Sequence, residues 1–461
     1  MVSAISITAL LILGLGVLMF TKVRPLLEVP PIPKIEETWW GPGQPGKSVD
    51  TSIRPFKINV PDEVIRDLHR RLDSTLPFQP PLEGSKQHYG MNTDLLKNIT
   101  EFWKTKYDWR ERETFLNRYP QFKVNVQGLN IHYIHVKPAP EQTSKGVRVL
   151  PLLLLHGWPE SVSQFNEIIP LLTTAQKGKD FVFEVIAPSL PGFGFSDAAI
   201  RPGLGAIQMA IVMKNLMERI GINRYYVQGG DWGGAIVRAM AVLHSDKLLG
   251  VHSSMCFSNS PLSYLKLLVY SFYPSWIVDK GHEDLVYPLT DLLMRSLLET
   301  GYMHIQITKP DTVGVALRES PVGLAAYILE KFTTLTNPSW KDLEDGGLHK
   351  KFTITKLLDN IMIYWVTRSI TTSMRLYSET FNKTHMSMKL DRIPITKVPT
   401  GCARFRHDLW YMPETILRDK YANMVHLRDY DAGHFAAFEV PDTLSRDVFD
   451  FVETVEELNR A

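Results

Sequence analysis

Asp231, His434 and Asp408 are the side chains whose types, order and flanking residues could do chemistry together in this 461-residue chain. Asp231 lies in Tyr225-Tyr226-Val227-Gln228-Gly229-Gly230-Asp231-Trp232-Gly233-Gly234. The β-branched and aromatic run before it reads as a buried strand, and Ala235, Ile236, Ala239, Met240 and Leu243 after it recur at helical spacing. Gly229-x-Asp231-x-Gly233 thus puts a carboxylate at the tip of a sharp strand-to-helix turn. The glycines suit strained dihedrals and backbones that nearly touch. A carboxylate so placed can attack a saturated, electrophilic carbon and form an alkyl ester, which water then cleaves. The plainer reading is a tight turn with an aspartate capping the helix.

Two further segments weigh against the plain reading. Val149 to Leu155 is an apolar strand running into His156-Gly157-Trp158-Pro159, and 424–430 reads as a strand ending in Asp431-Ala432-Gly433-His434-Phe435 before a helix at 441–458. In that order the pieces match the nucleophile elbow, oxyanion loop and late histidine of the α/β-hydrolase fold, with Asp in place of the commoner Ser. Asp231 is then the nucleophile and His434 the base that activates water. The backbone N–H groups of Trp158 and Trp232 are expected to hold the oxyanion. The acid that orients His434 must follow a strand between nucleophile and base. Asp408 is the first choice, and Glu414, inside an expected helix, is the fallback.

The supporting elements follow from pattern. Strands are expected near 150–155, 181–187, 225–229, 249–255, 395–401 and 424–430, with a helix at 206–220. Alternation of strand and helix implies a mostly parallel sheet flanked by helices. The expected core is 149–256 plus 393–461. Residues 257–392 have helical patterning and many aromatics, and read as a helical lid that roofs an apolar pocket. Residues 22–148 form a Pro- and Gly-rich tether and an N-terminal meander. It holds helices at 61–73 and 93–107 and a hairpin at 122–136 turning near Gln127-Gly128. Residues 1–21 read as a transmembrane anchor. Val2 to Phe20 has no charged side chain and as a helix spans about 28 Å, one hydrocarbon core. Lys22 and Arg24 follow at once, which puts the catalytic bulk on the cytosolic side.

Composition excludes other classes. A formal charge of +2 without a basic run gives no pull on nucleic acid. Walker, dinucleotide and metal-ligand spacings are missing, so neither cofactor nor metal is expected. Cys256 and Cys402 are too few for a disulfide framework and suggest a reducing compartment. The leaving group stays open at this level. An epoxide oxygen needs acidic O–H donors, whereas a halide needs only N–H donors, and periodicity cannot choose among the lid's tyrosines.

Several motifs together resemble microsomal epoxide hydrolase. They are His156-Gly157-Trp158-Pro159, Gly230-Asp231-Trp232-Gly233, Trp39-Trp40-Gly41-Pro42-Gly43, Gly301-Tyr302-Met303-His304-Ile305-Gln306, Ser320-Pro321-Val322-Gly323-Leu324 and Gly433-His434-Phe435-Ala436-Ala437-Phe438-Glu439. The resemblance covers nearly the whole chain and is nearest to the insect juvenile hormone enzymes. It implies that Tyr302 and Tyr377, the latter in Arg-Leu-Tyr-Ser-Glu, polarise the epoxide oxygen. It also implies an apolar, terpenoid epoxide and water as substrates, a diol product, no cofactor, and residence in the endoplasmic reticulum (microsomal) membrane. Mammalian microsomal members usually carry Glu as the loop acid; Phe405-Arg406-His407-Asp408-Leu409 aligns Asp there. A broad xenobiotic epoxide hydrolase, a haloalkane dehalogenase and a non-catalytic binding module are the alternatives.

Overall fold

A computed structural model describes residues 24–460 apart from Pro45, Lys47 and Ser48, together with Gly14 and Thr21. The expected anchor therefore lies almost wholly outside the described residues. Among those described, no helix is long and apolar enough to cross a membrane.

Nine strands form one sheet: β1 (Arg54–Phe56), β2 (Gln121–Val126), β3 (Leu129–Val136), β4 (Arg148–Leu155), β5 (Phe181–Pro188), β6 (Tyr225–Gly229), β7 (Leu248–Ser253), β8 (Thr400–Phe405) and β9 (Met424–Tyr430). Their spatial order is β1-β2-β3-β5-β4-β6-β7-β8-β9. The first three strands join antiparallel, and the pairings from β5 to β9 are all parallel. The sheet is buried on both faces, as parallel sheets are. On β4, Leu153 and Leu155 point into one apolar core while Leu152 and Leu154 point into the other. Helices α1 (Ala206–Arg219) and α2 (Asp231–Leu243) supply the first core, and α3 (Pro441–Arg460) the second. The chain order reverses at β4, flanked by β5 and β6. The ends of β4 and β6 at that switch point are where ligands bind in open α/β sheets.

One strand sits later than its pattern suggests. Apolar Ile395 and Val398 are buried, yet the ladder runs at Thr400–Phe405, not 395–401. Pro394 and Pro399 have no N–H to give, and the Ile395 N–H goes to the Lys420 carbonyl instead. The hairpin forms as expected, with Gln127 and Gly128 both at positive φ. Trp40 of the tether is buried, its N–H bound to the Gln127 carbonyl. Between β7 and β8 the described chain has helices and no strand.

The cysteines correct another expectation. Cys256 and Cys402 form a disulfide with Cα atoms 6.0 Å apart. They flank the whole helical insertion and are buried, so their number does not speak for a reducing compartment. Alkylation of the denatured chain without reductant should add no adduct mass, and two adducts should appear after reduction. Adducts before reduction would contradict the bond.

Candidate active site

The elbow is built where three backbones crowd together. Asp231 has φ 48°, a left-handed conformation that costs a non-glycine residue of order 1 kcal/mol or more. Its neighbours have no room for side chains. A Cβ on Gly229 would lie 2.5 Å from the Gly233 carbonyl carbon, and one on Gly233 would lie 2.1 Å from the Leu155 oxygen. A Cβ on Gly157 would come within 2.3 Å of Asp231 Oδ1. The glycine of the His-Gly-Trp-Pro loop thus makes space for the carboxylate, and the next residue binds it: the Trp158 N–H donates to Asp231 Oδ1 at 2.8 Å. The other expected backbone donor, Trp232 N–H, makes no hydrogen bond to that carboxylate among the described residues.

His156 braces this loop from below. Its Nε2 accepts the Leu190 N–H at 3.1 Å, which leaves Nδ1–H to donate to the Gly157 carbonyl at 3.0 Å. Burial drives its pKa down to about 4, so the ring stays neutral and keeps that tautomer.

His434 arrives from the other side, after β9. Glu439 clamps its loop, accepting the Gly433 and Phe435 N–H groups at 2.9 Å each. Burial raises the Glu439 carboxyl to about 7, with those two bonds working against the rise. The His434 N–H donates to the carbonyl of Leu335, a residue of the helical insertion. The imidazole lies between two acids, with Nδ1 2.6 Å from Asp408 Oδ1 and Nε2 3.4 Å from Asp231 Oδ2. Burial disfavours its charge, but the two carboxylates outweigh burial and hold its pKa well above the usual value. Asp408 reaches the ring despite being one methylene shorter than Glu. Glu414, the fallback acid, pairs with Arg418 at 2.6 Å instead.

Tyr302 and Tyr377 stand over the carboxylate. Tyr302 stacks on Trp158 with ring centroids 5.3 Å apart, and Tyr377 meets Trp158 edge-on at 5.9 Å and Trp232 at 4.7 Å. With Asp231 and Trp232 they line one cavity of about 500 Å³. Burial, with Asp231 nearby, raises the pKa of both hydroxyls, which therefore remain protonated donors. Asp231, His434, Asp408, Tyr302 and Tyr377 thus lie together, with Trp158 and Trp232 beside the tyrosines.

One acid was not foreseen. Glu160, directly after Pro159, is buried, its carboxyl facing the Gln164 amide and its carbonyl accepting the Tyr364 hydroxyl at 2.6 Å. Burial lifts its pKa to about 8; His434 opposes the shift and Asp231 adds to it. An acid at the end of a sequence motif looks like a solvated loop residue, so only its burial identifies it.

A mostly parallel sheet with a carboxylate elbow and a buried histidine–carboxylate pair beside its switch point defines an α/β-hydrolase. The comparisons with known proteins narrow the class. Residues 53–165 match the family model described as epoxide hydrolase N terminus, and 151–281 match that of the alpha/beta hydrolase fold. Juvenile hormone epoxide hydrolase 1 of Ctenocephalides felis is 52% identical over 97% of this chain and 94% of its own. Epoxide hydrolase 1 of Oryctolagus cuniculus is 45% identical over 92% of this chain and 93% of its own. The crystal structure of juvenile hormone epoxide hydrolase from Bombyx mori superposes with a TM-score of 0.89 at 47% identity, covering 92% of this chain and 99% of that one. The chain belongs to the epoxide hydrolase family and is an epoxide hydrolase; the dehalogenase and binding-module alternatives fall.

The elevated His434 pKa should depend on both carboxylates. Asp231→Asn removes one of them, so the imidazole midpoint, followed by NMR on histidine-labelled protein, should fall by about one unit or more. An unchanged midpoint would contradict the electrostatic link.

Proposed function

We propose that Asp231 opens the epoxide covalently and that His434 then releases the diol. The observation that carries this reading is the division of one carboxylate: Oδ1 is held by the Trp158 N–H at 2.8 Å, and Oδ2 faces His434 Nε2 at 3.4 Å. Oδ2 is the oxygen that attacks. Tyr302 and Tyr377 donate to the epoxide oxygen, and the alkoxide takes a proton from one of them as the ring opens. Oδ1 becomes the ester carbonyl oxygen, already hydrogen-bonded in the direction needed for the later oxyanion. One such donor is worth about 3 kcal/mol of barrier.

Esterification also changes the histidine. The negative charge of Asp231 disappears into the ester, so His434 loses one of the two anions that hold its proton. Its pKa falls, its proton passes to the tyrosinate left by ring opening, and the neutral ring becomes a base for water. Asp408 remains to orient it and to stabilise the cation that forms. Water gives a proton to His434 and adds to the ester carbonyl, the Trp158 N–H holds the oxyanion, and collapse expels the diol, whose departing oxygen takes the proton of the new carboxyl group. Asp231 is restored with one oxygen taken from water. Glu160, uncharged at neutral pH in the resting site, adds no competing negative charge beside the nucleophile.

The substrate we assign is an apolar, terpenoid epoxide of the juvenile hormone kind. Two observations support it. The insect relative named for that hormone is more similar to this chain than the rabbit epoxide hydrolase is. The cavity walls are largely apolar, including Phe257, Leu267, Leu292 and Met303. The same proposal holds the chain in the microsomal membrane through Val2–Phe20, with the catalytic part on the cytosolic side, supported by that uncharged run and the Lys22 and Arg24 that follow it.

His434→Gln should accumulate a covalent adduct when mixed with a terpenoid epoxide ester, seen as added mass on the Asp231 peptide. Tyr302→Phe or Tyr377→Phe in that background should slow adduct formation at least about tenfold, the size of a general-acid contribution. If no adduct forms, or if neither tyrosine affects its rate, the assigned roles are wrong.

A further inference from the structure

Among the described residues, exposed large apolar side chains crowd into one stretch of the helical insertion, 262–298. It contains helix α4 (Pro261–Tyr270), a turn through Phe272 and Trp276, and helix α5 (Leu289–Glu299), on which no residue is buried. Phe272 is 78% exposed, Trp276 70% and Leu297 71%. The segments belong together: Leu267 of α4 packs with Ile277, Val286 and Leu289 in a small separate core. Some charged groups on and beside the two helices are drawn inward, while Asp279, Lys280, Asp284 and Asp291 stay exposed. Lys266 binds Asp419 at 2.5 Å, Arg295 donates to the Leu285 carbonyl at 3.2 Å, and Glu299 pairs with Lys341. On α4, the turn through Phe272 and Trp276, and the 293–298 part of α5, what remains outward is largely hydrocarbon, and contiguous exposed apolar surface of this kind marks an interaction site.

Two more facts say what covers it. The patch is the rim of the active-site cavity, because Tyr264, Leu268 and Leu293 are exposed and also line the space above Asp231. The chain also enters the fold beside it. The short helix Arg24–Leu27 lies against α4, and the residues before it in sequence, Val2 to Phe20, carry no charge. The four peptide steps from Phe20 to Arg24 reach at most about 14 Å. A helix packed against Arg24–Leu27 is therefore held near any bilayer that takes Val2–Phe20.

We propose that the apolar rim formed by 262–276 and 293–298 seats in a lipid bilayer, so that the cavity opens toward the hydrocarbon and takes its epoxide from the membrane phase. The inference rests on the reading of Val2–Phe20 as an anchor. Anchoring alone does not require it, since an anchored domain could face its pocket to water. An apolar substrate partitions into lipid, and a rim of Leu, Phe and Trp side chains spares it a passage through water.

The test uses the full chain in phosphatidylcholine vesicles, with a nitroxide on Leu297→Cys and, as control, on Leu458→Cys of α3. The native cysteines are bonded and buried, so labelling is confined to the new thiol. By power saturation, the label at 297 should be reached by oxygen and shielded from a water-soluble nickel chelate, and the label at 458 should show the reverse. Access of nickel to 297 in vesicle-bound protein overturns the proposal and leaves the anchor standing. Shielding of 297 from both reagents overturns it in favour of a protein cover, either a second copy or the chain's own N-terminal residues. Protein that fails to float with vesicles removes both readings. In kinetics, Trp276→Glu with Leu297→Glu should raise KM about tenfold for a vesicle-dissolved terpenoid epoxide while leaving KM for a small water-soluble epoxide unchanged. Equal effects on both substrates, or none, also overturn it.

Discussion

The contact between Asp231 and the Trp158 N–H is the interaction on which the rest depends. It needs a carboxylate in a left-handed turn at the end of β6, and a loop from the end of β4 lying against it with no side chain between. Gly157, Gly229 and Gly233 are the places where that closeness is paid for in sequence, since a methyl group at any of them would overlap a backbone or the carboxylate itself. His156 below the loop and the parallel pairing of β4 with β6 keep the two ends level. The same closeness that strains the turn also ties one oxygen of the acid to a backbone donor and leaves the other facing His434.

Charge is arranged around that contact as carefully as shape. The site is buried, yet it holds a histidine between two acids, and the neighbouring Glu160 carboxyl is raised to about 8 by its lack of solvent. In a low-dielectric space, each negative charge added or removed is felt strongly by the imidazole. In the proposed mechanism, converting Asp231 to a neutral ester is such a removal. With one anion fewer beside it, the imidazole holds a proton less firmly and serves better as a base.

Much of this was legible in the sequence where backbone geometry demands particular residues. The Gly-x-Asp-x-Gly frame, the His-Gly-Trp-Pro loop and the histidine after the last strand each reflect a place where few residues fit. Chain order then pointed to Asp408, and the structure brings it to the ring. Side chains that act through burial were not legible. Glu160 and Glu439 look like ordinary loop acids until the fold encloses them. Tyr302 and Tyr377 came from family resemblance, because the insertion has many tyrosines on helices of similar pattern. The Cys256–Cys402 bond joins residues 146 apart, a distance no local pattern spans. Strand β1 has three residues, too few to show alternation, and β8 was displaced because Ile395 and Val398 are buried without joining the ladder. Apolar character reports burial, while prolines 394 and 399 decide who can hydrogen-bond.

The central claim is that an oxygen of the Asp231 side chain ends in the product. A single turnover in oxygen-18 water, with enzyme in excess over epoxide, tests it directly. The diol should leave with unlabelled oxygen, and one oxygen-18 should appear in the side chain of Asp231 after digestion and mass spectrometry. Oxygen-18 in the diol, with Asp231 unlabelled, would mean that water attacks the epoxide itself and that the carboxylate never bonds to carbon.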